Sequence, residues 1–345
     1  MAPAPRTRRA WTLAGRPHGR APRPDDFRLV EEPVPALADG QLLVETAYLS
    51  VAPVMRRYML DGAGIEDPLA IGETMRGRGV GRVAASRNRR FPVGTAVQGK
   101  LGWQTHAVLD GDASEMATAV REFPGVPLSA ALGALGMTGL TAWVGLYEIG
   151  ALADGETVFV SAATGGVGSV VVPLAKRRGC RVVGTCSTPE KAALLTGHLG
   201  ADAAINYRRS DVEVELARLC PDGVDVVFDN VGGAVLDAAL ACLRPYGRVV
   251  ACGRISQYLT TPGDQYRLRN WHRIGQTRGR MEGFFVYDHA HRLAEAQDQM
   301  AGWIADGSLP LLEDVLDGIE RVPEALARLY EGQNRGKQLV RVAAE

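Results

Sequence analysis

Val158-Phe-Val-Ser-Ala-Ala-Thr-Gly-Gly-Val-Gly168 decides the fold. It opens as an apolar strand, turns through Ala162, Ala163, Thr164 and Gly165, and enters a helix with Gly168 in its first turn. The spacing is AxxGxxG, a variant of the GxGxxG dinucleotide fingerprint. A helix N-terminus offers free N–H groups and the positive end of its dipole to a pyrophosphate. Gly165 and Gly166 let the backbone approach the phosphates, and Gly168 lets helix and strand pack closely. A glycine pattern alone is weak. Here it follows a strand, opens a helix and starts a run of βα units, and a Gly-rich structural turn is the lesser alternative.

Downstream, strands are expected at 157–161 (TVFVS), 181–185 (RVVGT), 203–206, 224–228 (VDVVF) and 248–252 (RVVAC). Helices are expected between them at 166–178, 189–199, 211–219 and 234–243. This alternation implies βαβ units, a parallel sheet covered on both faces and, with right-handed crossovers, a doubly wound Rossmann domain. Upstream, 128–150 is a long Ala/Leu-rich stretch read as one buried helix. The first third is β-rich instead, with short strands at 41–46 (QLLVET), 80–84 (VGRVA) and 95–98 (TAVQ) among glycine turns. The tail offers amphipathic helices at 291–306 and 323–331 and a last strand at 338–342. Residues 1–9 read as a frayed tail.

The second strand of the Rossmann unit bears on cofactor identity. An NAD site usually places Asp or Glu at its C-terminal end, on the ribose 2′-OH. Here that end reads Gly184-Thr185-Cys186-Ser187, with no carboxylate. Lys191 follows one helical turn later, within reach of a 2′-phosphate, unless it is a solvated helix residue. NADP(H) is therefore favoured over NAD(H).

The 345 residues suggest two domains or one large one, and an apolar fraction of 46% with 23% charged residues is ordinary for a globular protein. Lys+Arg and Asp+Glu are 39 each, so no basic excess points to nucleic acid or to an anionic membrane. No apolar run approaches the roughly 18 residues of a membrane span. The start MAPAPRTRRA lacks an apolar core, so no secretory signal is expected and a cytoplasmic location is. The five cysteines are odd in number, lie at 180 and beyond and show no zinc spacing; buried free thiols are expected. Positive charge is carried by Arg, with Lys100, Lys176, Lys191 and Lys337 the only lysines.

The chain resembles the zinc-independent medium-chain dehydrogenase/reductase family, in the branch of prostaglandin reductases, alkenal double-bond reductases and curcumin-type enone reductases. The resemblance runs from about Trp11 to Val342. It is carried by PDDFRLVE at 24–31, YLSVAPVMR at 48–56, GRGVGRV at 77–83, LGWQTHAV at 101–108 and GMTGLTAW at 136–143. Further motifs are DNVGG at 229–233, CGRISQY at 252–258, RMEGFFVYD at 280–288 and GQNRGKQLV at 332–340. It implies an α/β chain: a Rossmann doubly wound parallel sheet plus a GroES-like, partly open β-barrel catalytic domain. The implied division is 1–126 for the GroES-like substrate domain, 127–308 for the NADP-binding domain and 309–345 for a return to the first. It also implies a homodimer. Where zinc-dependent members carry GHE, this chain reads RGRGVG, and no Cys precedes residue 180, so no metal is expected.

By motif, the resemblance assigns cofactor contacts to Gly165, Gly166, Val167, Gly168, Lys191, Tyr207, Asn230, Cys252, Gly253, Ile255, Ser256, Phe284, Phe285, Val286 and Asn334. Tyr207 is placed beside the 2′-phosphate, or is a half-buried strand-end tyrosine. Asn230 contacts the cofactor, caps the helix near Gly233, or does both. The implied activity is NADPH-dependent reduction of the C=C bond of α,β-unsaturated ketones or aldehydes. Hydride reaches the β-carbon, an enolate forms, and the α-carbon is then protonated. Charge developing on the enolate calls for a hydrogen-bond donor. Tyr258 matches the family's tyrosine near the substrate carbonyl; it either donates to the enolate or contacts the cofactor, and Tyr287 is a second candidate. The family's DPYMR is here Ala52-Pro53-Val54-Met55-Arg56, so by the resemblance Val54 stands in place of a tyrosine and a wider substrate pocket is expected. Arg78 is a surface charge or a substrate-facing cation. A zinc-independent quinone reductase is the alternative function, and an NADPH-binding sensor or structural protein a further one.

Overall fold

The alternating segments after residue 156 assemble, in the computed structural model, as one parallel sheet. The structure describes residues 7–61, 67–113, 116–260 and 263–343. Two units divide the chain: Met1–Leu132 with Glu313–Glu345, and Gly133–Leu312. The boundaries expected from sequence, after 126 and after 308, fall a few residues earlier.

The second unit holds strands Thr157–Val160, Arg181–Cys186, Ala203–Asn206, Val224–Asp229, Leu243–Ala251 and Arg280–Gly283. Counted in chain order within the unit, they lie 3-2-1-4-5-6, every neighbouring pair parallel. That is the Rossmann order, whose crossovers put helices on both faces. The central strands are continuous apolar runs because both faces are covered. Phe159, Val183, Val227 and Val249 are buried against Leu216 and Leu240 from two of the helices. Fully burying one such side chain contributes about 1.5–3 kcal/mol, which fixes the strands more firmly than their individual propensities could.

Two expectations for this part of the chain are corrected. The stretch 128–150 is not one helix. It is a 3-10 turn Leu128–Leu132, an α-helix Met137–Val144 and a π-turn Gly145–Ile149. Between the first two, Gly136 N and Gly139 N both donate to Gly133 O, closing a glycine turn in place of helix. The sixth strand, Arg280–Gly283, is absent from the expected set. It is a polar edge strand, so neither alternation nor an apolar run marks it.

In the other unit a ten-residue strand, Gln41–Ser50, is the hub. It pairs antiparallel with Gly79–Ser86, His106–Asp110 and Lys337–Arg341. Register shifts after Leu43 and after Thr46 bend it, which lets one strand serve several partners. The expected strand 41–46 is thus too short. Glu313–Asp317 adds a parallel neighbour to Lys337–Arg341, and Ala96–Gly99 and Ala117–Ala119 continue the other side. This mixed, mostly antiparallel sheet is the expected second domain. The expected tail 1–9 is also corrected: Thr7–Leu13 is a strand paired antiparallel with Phe27–Pro33. Residues 1–6 lie outside the described residues. Among the described residues no helix is long and apolar enough to cross a membrane.

Candidate functional site

In a parallel sheet every strand delivers its following loop to the same edge. The six strands of the Rossmann unit therefore bring the candidate residues to one rim. Gly165, Gly166, Val167 and Gly168 follow the first strand, Lys191 the second and Tyr207 the third. Asn230 follows the fourth. Cys252, Gly253, Ile255, Ser256 and Tyr258 follow the fifth, and Phe284, Phe285, Val286 and Tyr287 the sixth.

The glycine turn is shaped by close approach. A Cβ on Gly168 would lie 2.5 Å from Ala162 O and 2.7 Å from Ala163 Cα, so the helix Gly168–Arg177 can start this near the strand only with glycine. Ala162 itself is held at φ 47°, a left-handed conformation that an L-residue adopts at some cost. Two bonds to the second strand hold it there: Ala162 N donates to Thr185 Oγ1 at 3.0 Å and Ala163 N to Thr185 O at 3.0 Å. The first amides of a helix have no intrahelical acceptor, so this turn presents donors to an anion. The turn is a cradle that side chains would fill, and it fits a pyrophosphate.

At the neighbouring strand ends, Cys186 and Ser187 are buried and bring no carboxylate. Tyr207 N donates to Cys186 O at 3.1 Å, which sets the exposed Tyr207 ring next to that end. Lys191 is in the first turn of the helix Pro189–Ala193, its backbone N–H capped by Thr188 Oγ1 at 3.3 Å. It is buried, at 7% exposure, which removes the solvated reading. Its cation is near enough to oppose the upward push of burial on the Cys186 thiol. Lys191, Tyr207 and the acid-free strand end thus form one corner.

The fourth and first strand ends are tied by a polar knot that the sequence does not reveal. Ser161 Oγ donates to Asp229 Oδ1 at 2.7 Å, and Asn230 N donates to Ser161 Oγ at 2.7 Å. Asn230 Nδ2 donates to Ser161 O at 2.8 Å. Burial pushes the Asp229 carboxyl up, against hydrogen bonds from Ser161, Val231 and Gly232. The capping alternative for Asn230 is corrected: Gly232 is the N-cap of the helix Gly233–Ala241, and the backbone amides of Val231 and Gly232 donate to Asp229 instead. Asp229 and Ser161 could have been found only by knowing that parallel strands 1 and 4 are neighbours.

Cys252 N and Gly253 N donate to Asp229 O at 2.9 and 3.0 Å, drawing the fifth loop onto the knot. Burial, with the Asp229 charge, raises the Cys252 thiol to about 12, which keeps it protonated. Ser256 Oγ donates to Val231 O at 2.7 Å, and Tyr258 closes the short 3-10 turn Ile255–Gln257, half-buried. Past the turn, Tyr266 N donates to Gln257 Oε1 at 2.8 Å, while Tyr266 Oη, Arg269 N and Asn270 N all donate to the buried Asp237 carboxylate. Phe285 and Tyr287 are exposed, their rings 5.1 Å apart, whereas Phe284 turns inward toward His289.

Three candidates lie in the other unit. Asn334 donates from Nδ2 to Gly336 O at 2.9 Å, in the loop before Lys337–Arg341. Val54 is half-buried in the 3-10 helix Pro53–Met59, and Arg78 is half-buried too. The cysteines are free thiols: Cys180, Cys186 and Cys220 are buried, Cys242 and Cys252 half-buried. Among the described residues no group of three or more His, Cys, Asp and Glu could hold a metal ion.

Two family models match: the N-terminal domain of oxidoreductase over residues 9–117, and zinc-binding dehydrogenase over residues 166–302. The NADPH-dependent curcumin reductase of Escherichia coli (strain K12) is 39% identical over 341 residues, 98% of this chain and 97% of its own. Prostaglandin reductase 1 of Bos taurus is 38% identical, over 96% of this chain and 98% of its own. Among solved structures, CurA from Vibrio vulnificus in complex with NADPH superposes with a TM-score of 0.90 at 37% identity, covering 98% of this chain and all of its own. With motifs, topology and relatives in agreement, this chain belongs to the medium-chain dehydrogenase/reductase family, in its zinc-independent branch.

Proposed function

We propose that this protein reduces the C=C bond of α,β-unsaturated ketones or aldehydes with NADPH. One observation carries the reading: all six strands deliver a candidate cofactor or substrate residue to the same rim, with a glycine cradle at the first strand and an acid-free, lysine-bearing corner at the second. The names of the relatives agree: an NADPH-dependent curcumin reductase and an NADP(+)-dependent 2-alkenal reductase from Nicotiana tabacum. Similarity to structures called quinone oxidoreductases, at 20–22% identity, speaks for the fold alone.

NADPH, when bound, supplies the hydride. The amides of Gly166, Val167 and Gly168 bind the pyrophosphate. Lys191 and Tyr207 take the 2′-phosphate, where a charge-assisted hydrogen bond contributes about 1.5–3 kcal/mol. Asn230, Cys252, Gly253, Ile255, Ser256, Phe284, Phe285 and Val286 are the further cofactor contacts proposed in the Rossmann unit, and Asn334 is the one proposed by motif in the other. By motif, the substrate contacts of this proposal are Tyr258 and Tyr287 in the Rossmann unit and Val54 in the other unit. Tyr258 holds its phenolic proton toward the substrate carbonyl and donates to the oxygen as enolate charge develops. A donor aimed at that charge is worth more in the transition state than in the ground state.

The test is NADPH oxidation with an enone, an enal and a quinone, in wild type and Tyr258→Phe. Enone or enal turnover should exceed quinone turnover. Tyr258→Phe should lower kcat roughly ten- to a thousandfold with little change in the Kd for NADPH. Loss of NADPH binding with kcat intact at saturation would make Tyr258 a cofactor ligand. Turnover of quinone alone would replace the function itself.

A further inference from the structure

We propose that Tyr330 and Lys337, which no motif assignment makes substrate contacts, are positioning residues that set Val54 and so the size of substrate accepted. The inference rests on the reading that Val54 faces the substrate.

Val54 sits at the start of Pro53–Met59, a 3-10 helix, whose hydrogen bonds are poor in geometry and hold a short segment weakly. Pro53 also brings no N–H. The segment's place must come from elsewhere, and the structure shows from where. Lys337 Nζ donates to Val51 O at 3.0 Å. Tyr330 Oη donates to Pro53 O at 2.7 Å. Val51 N donates to Gln338 O at 3.1 Å. The carbonyls on either side of Ala52 are thus each taken by a side chain of the C-terminal return, from the helix Val322–Glu331 and the strand Lys337–Arg341. On the far side, Arg56 donates from Nε to Arg20 O at 3.0 Å and from Nη2 to Pro17 O at 2.9 Å. Beneath, Met55 and Met59 are buried with Val322 and Leu326.

Lys337 is the costly member of this arrangement. It is 6% exposed, and a buried ammonium is tolerated when hydrogen bonds or an opposite charge compensate it. Its two bonds go to main-chain carbonyls, Val51 O and Gln338 O, and Glu313 stands opposite in the strand register. The cation is used to grip backbone beside Val54, and the Tyr330 hydroxyl grips the same backbone two residues on. A shift of the Pro53 carbonyl moves the Val54 side chain with it. The pair therefore acts on substrate size through residue 54, with no contact to substrate required.

A double-mutant cycle tests this. The substrates are a diaryl enone and a short-chain 2-alkenal, and the readout is the ratio of their kcat/KM values. Tyr330→Phe removes one hydroxyl from a half-buried ring and should shift the ratio roughly three- to tenfold, mainly through KM for the diaryl enone. Lys337→Met keeps the stem and removes the ammonium; it should shift the ratio in the same direction. Val54→Tyr should disfavour the diaryl enone. In the Val54→Tyr background the effect of Tyr330→Phe should change by at least half, because both act at one place. Equal effects in the two backgrounds, or a drop in kcat common to both substrates, overturn the proposal. The Kd for NADPH should be the same in all variants, and a parallel loss of cofactor binding would also overturn it. If wild type reduces neither substrate, the functional reading fails by itself. The grip is then read from hydrogen exchange: the Met55 amide, bonded to Ala52 O, should exchange faster in Tyr330→Phe. Unchanged exchange rejects the grip whatever the activity.

Discussion

The rim of the Rossmann unit and the Pro53–Met59 segment of the other unit each carry residues assigned to function, yet they are built from different materials. The rim is made by topology: parallel strands place their following loops together, and the central bonds run between main-chain groups or short side chains at strand ends. The segment is made by reach. Lys337 and Tyr330 grip it across sequence separations of 286 and 277 residues. The first kind of site tolerates little change in its backbone and much in its side chains. The second can be retuned by a single side chain far away in the chain. A family can keep one cofactor and vary its substrates with such a division.

The comparison breaks first at the rim if Gly168→Val is tolerated. The added side chain would meet Ala162 O and Ala163 Cα within 2.5–2.7 Å, both main-chain atoms of the glycine turn. NADPH affinity should fall by more than about a hundredfold and stability by several kcal/mol, since overpacking costs typically 1–3 kcal/mol and backbone cannot yield as a side chain does. Fluorescence titration and thermal unfolding measure both. Near-normal binding would mean that backbone approach does not govern the rim.

A smaller effect is expected at Lys191, where the rim does depend on one side chain. Lys191→Ala should weaken NADPH roughly ten- to a hundredfold and leave NADH nearly unchanged, since NADH lacks the 2′-phosphate. Equal losses for both cofactors would mark Lys191 as a structural residue of the Pro189–Ala193 turn. Equal wild-type affinities for the two would remove the cofactor preference altogether.

How much is legible in the sequence follows the same division. The glycine turn, five of the six Rossmann strands and the acid-free strand end are legible because each is a local pattern: an apolar run, a glycine spacing, a missing carboxylate. Arg280–Gly283 is not, because a polar edge strand has no periodicity to show. The break in 128–150 escapes notice because Gly133 and Gly136 are outweighed by the Ala and Leu around them. Ser161, Asp229 and Asp237 stay hidden because hydrogen-bond partners of buried polar groups are set by tertiary neighbours. Lys337 has one available signal. In a chain that carries 39 basic residues with only four lysines, a lysine is not the default surface cation, and two of the four, Lys191 and Lys337, are buried.

That signal yields the last and smallest effect. Burial holds the Lys337 ammonium at about 8, against an ordinary 10.5, with Glu313 pulling the other way. Between these pH values the unfolded chain carries a proton on this lysine that the folded chain has released. Stability therefore rises with pH across that window, and this group's cost is greatest below about pH 8. Lys337→Met removes the titration. Urea unfolding of wild type and variant at about pH 7 and about pH 10 should show the wild type gaining on the variant at the higher pH, by at most a few kcal/mol. Working with the difference cancels the other groups that titrate in the same range. Parallel curves would mean that Lys337 keeps an ordinary affinity for its proton. Water would then reach its ammonium, and the grip on Val51 would be that of a surface lysine, with the contrast between the two regions reduced to sequence separation alone.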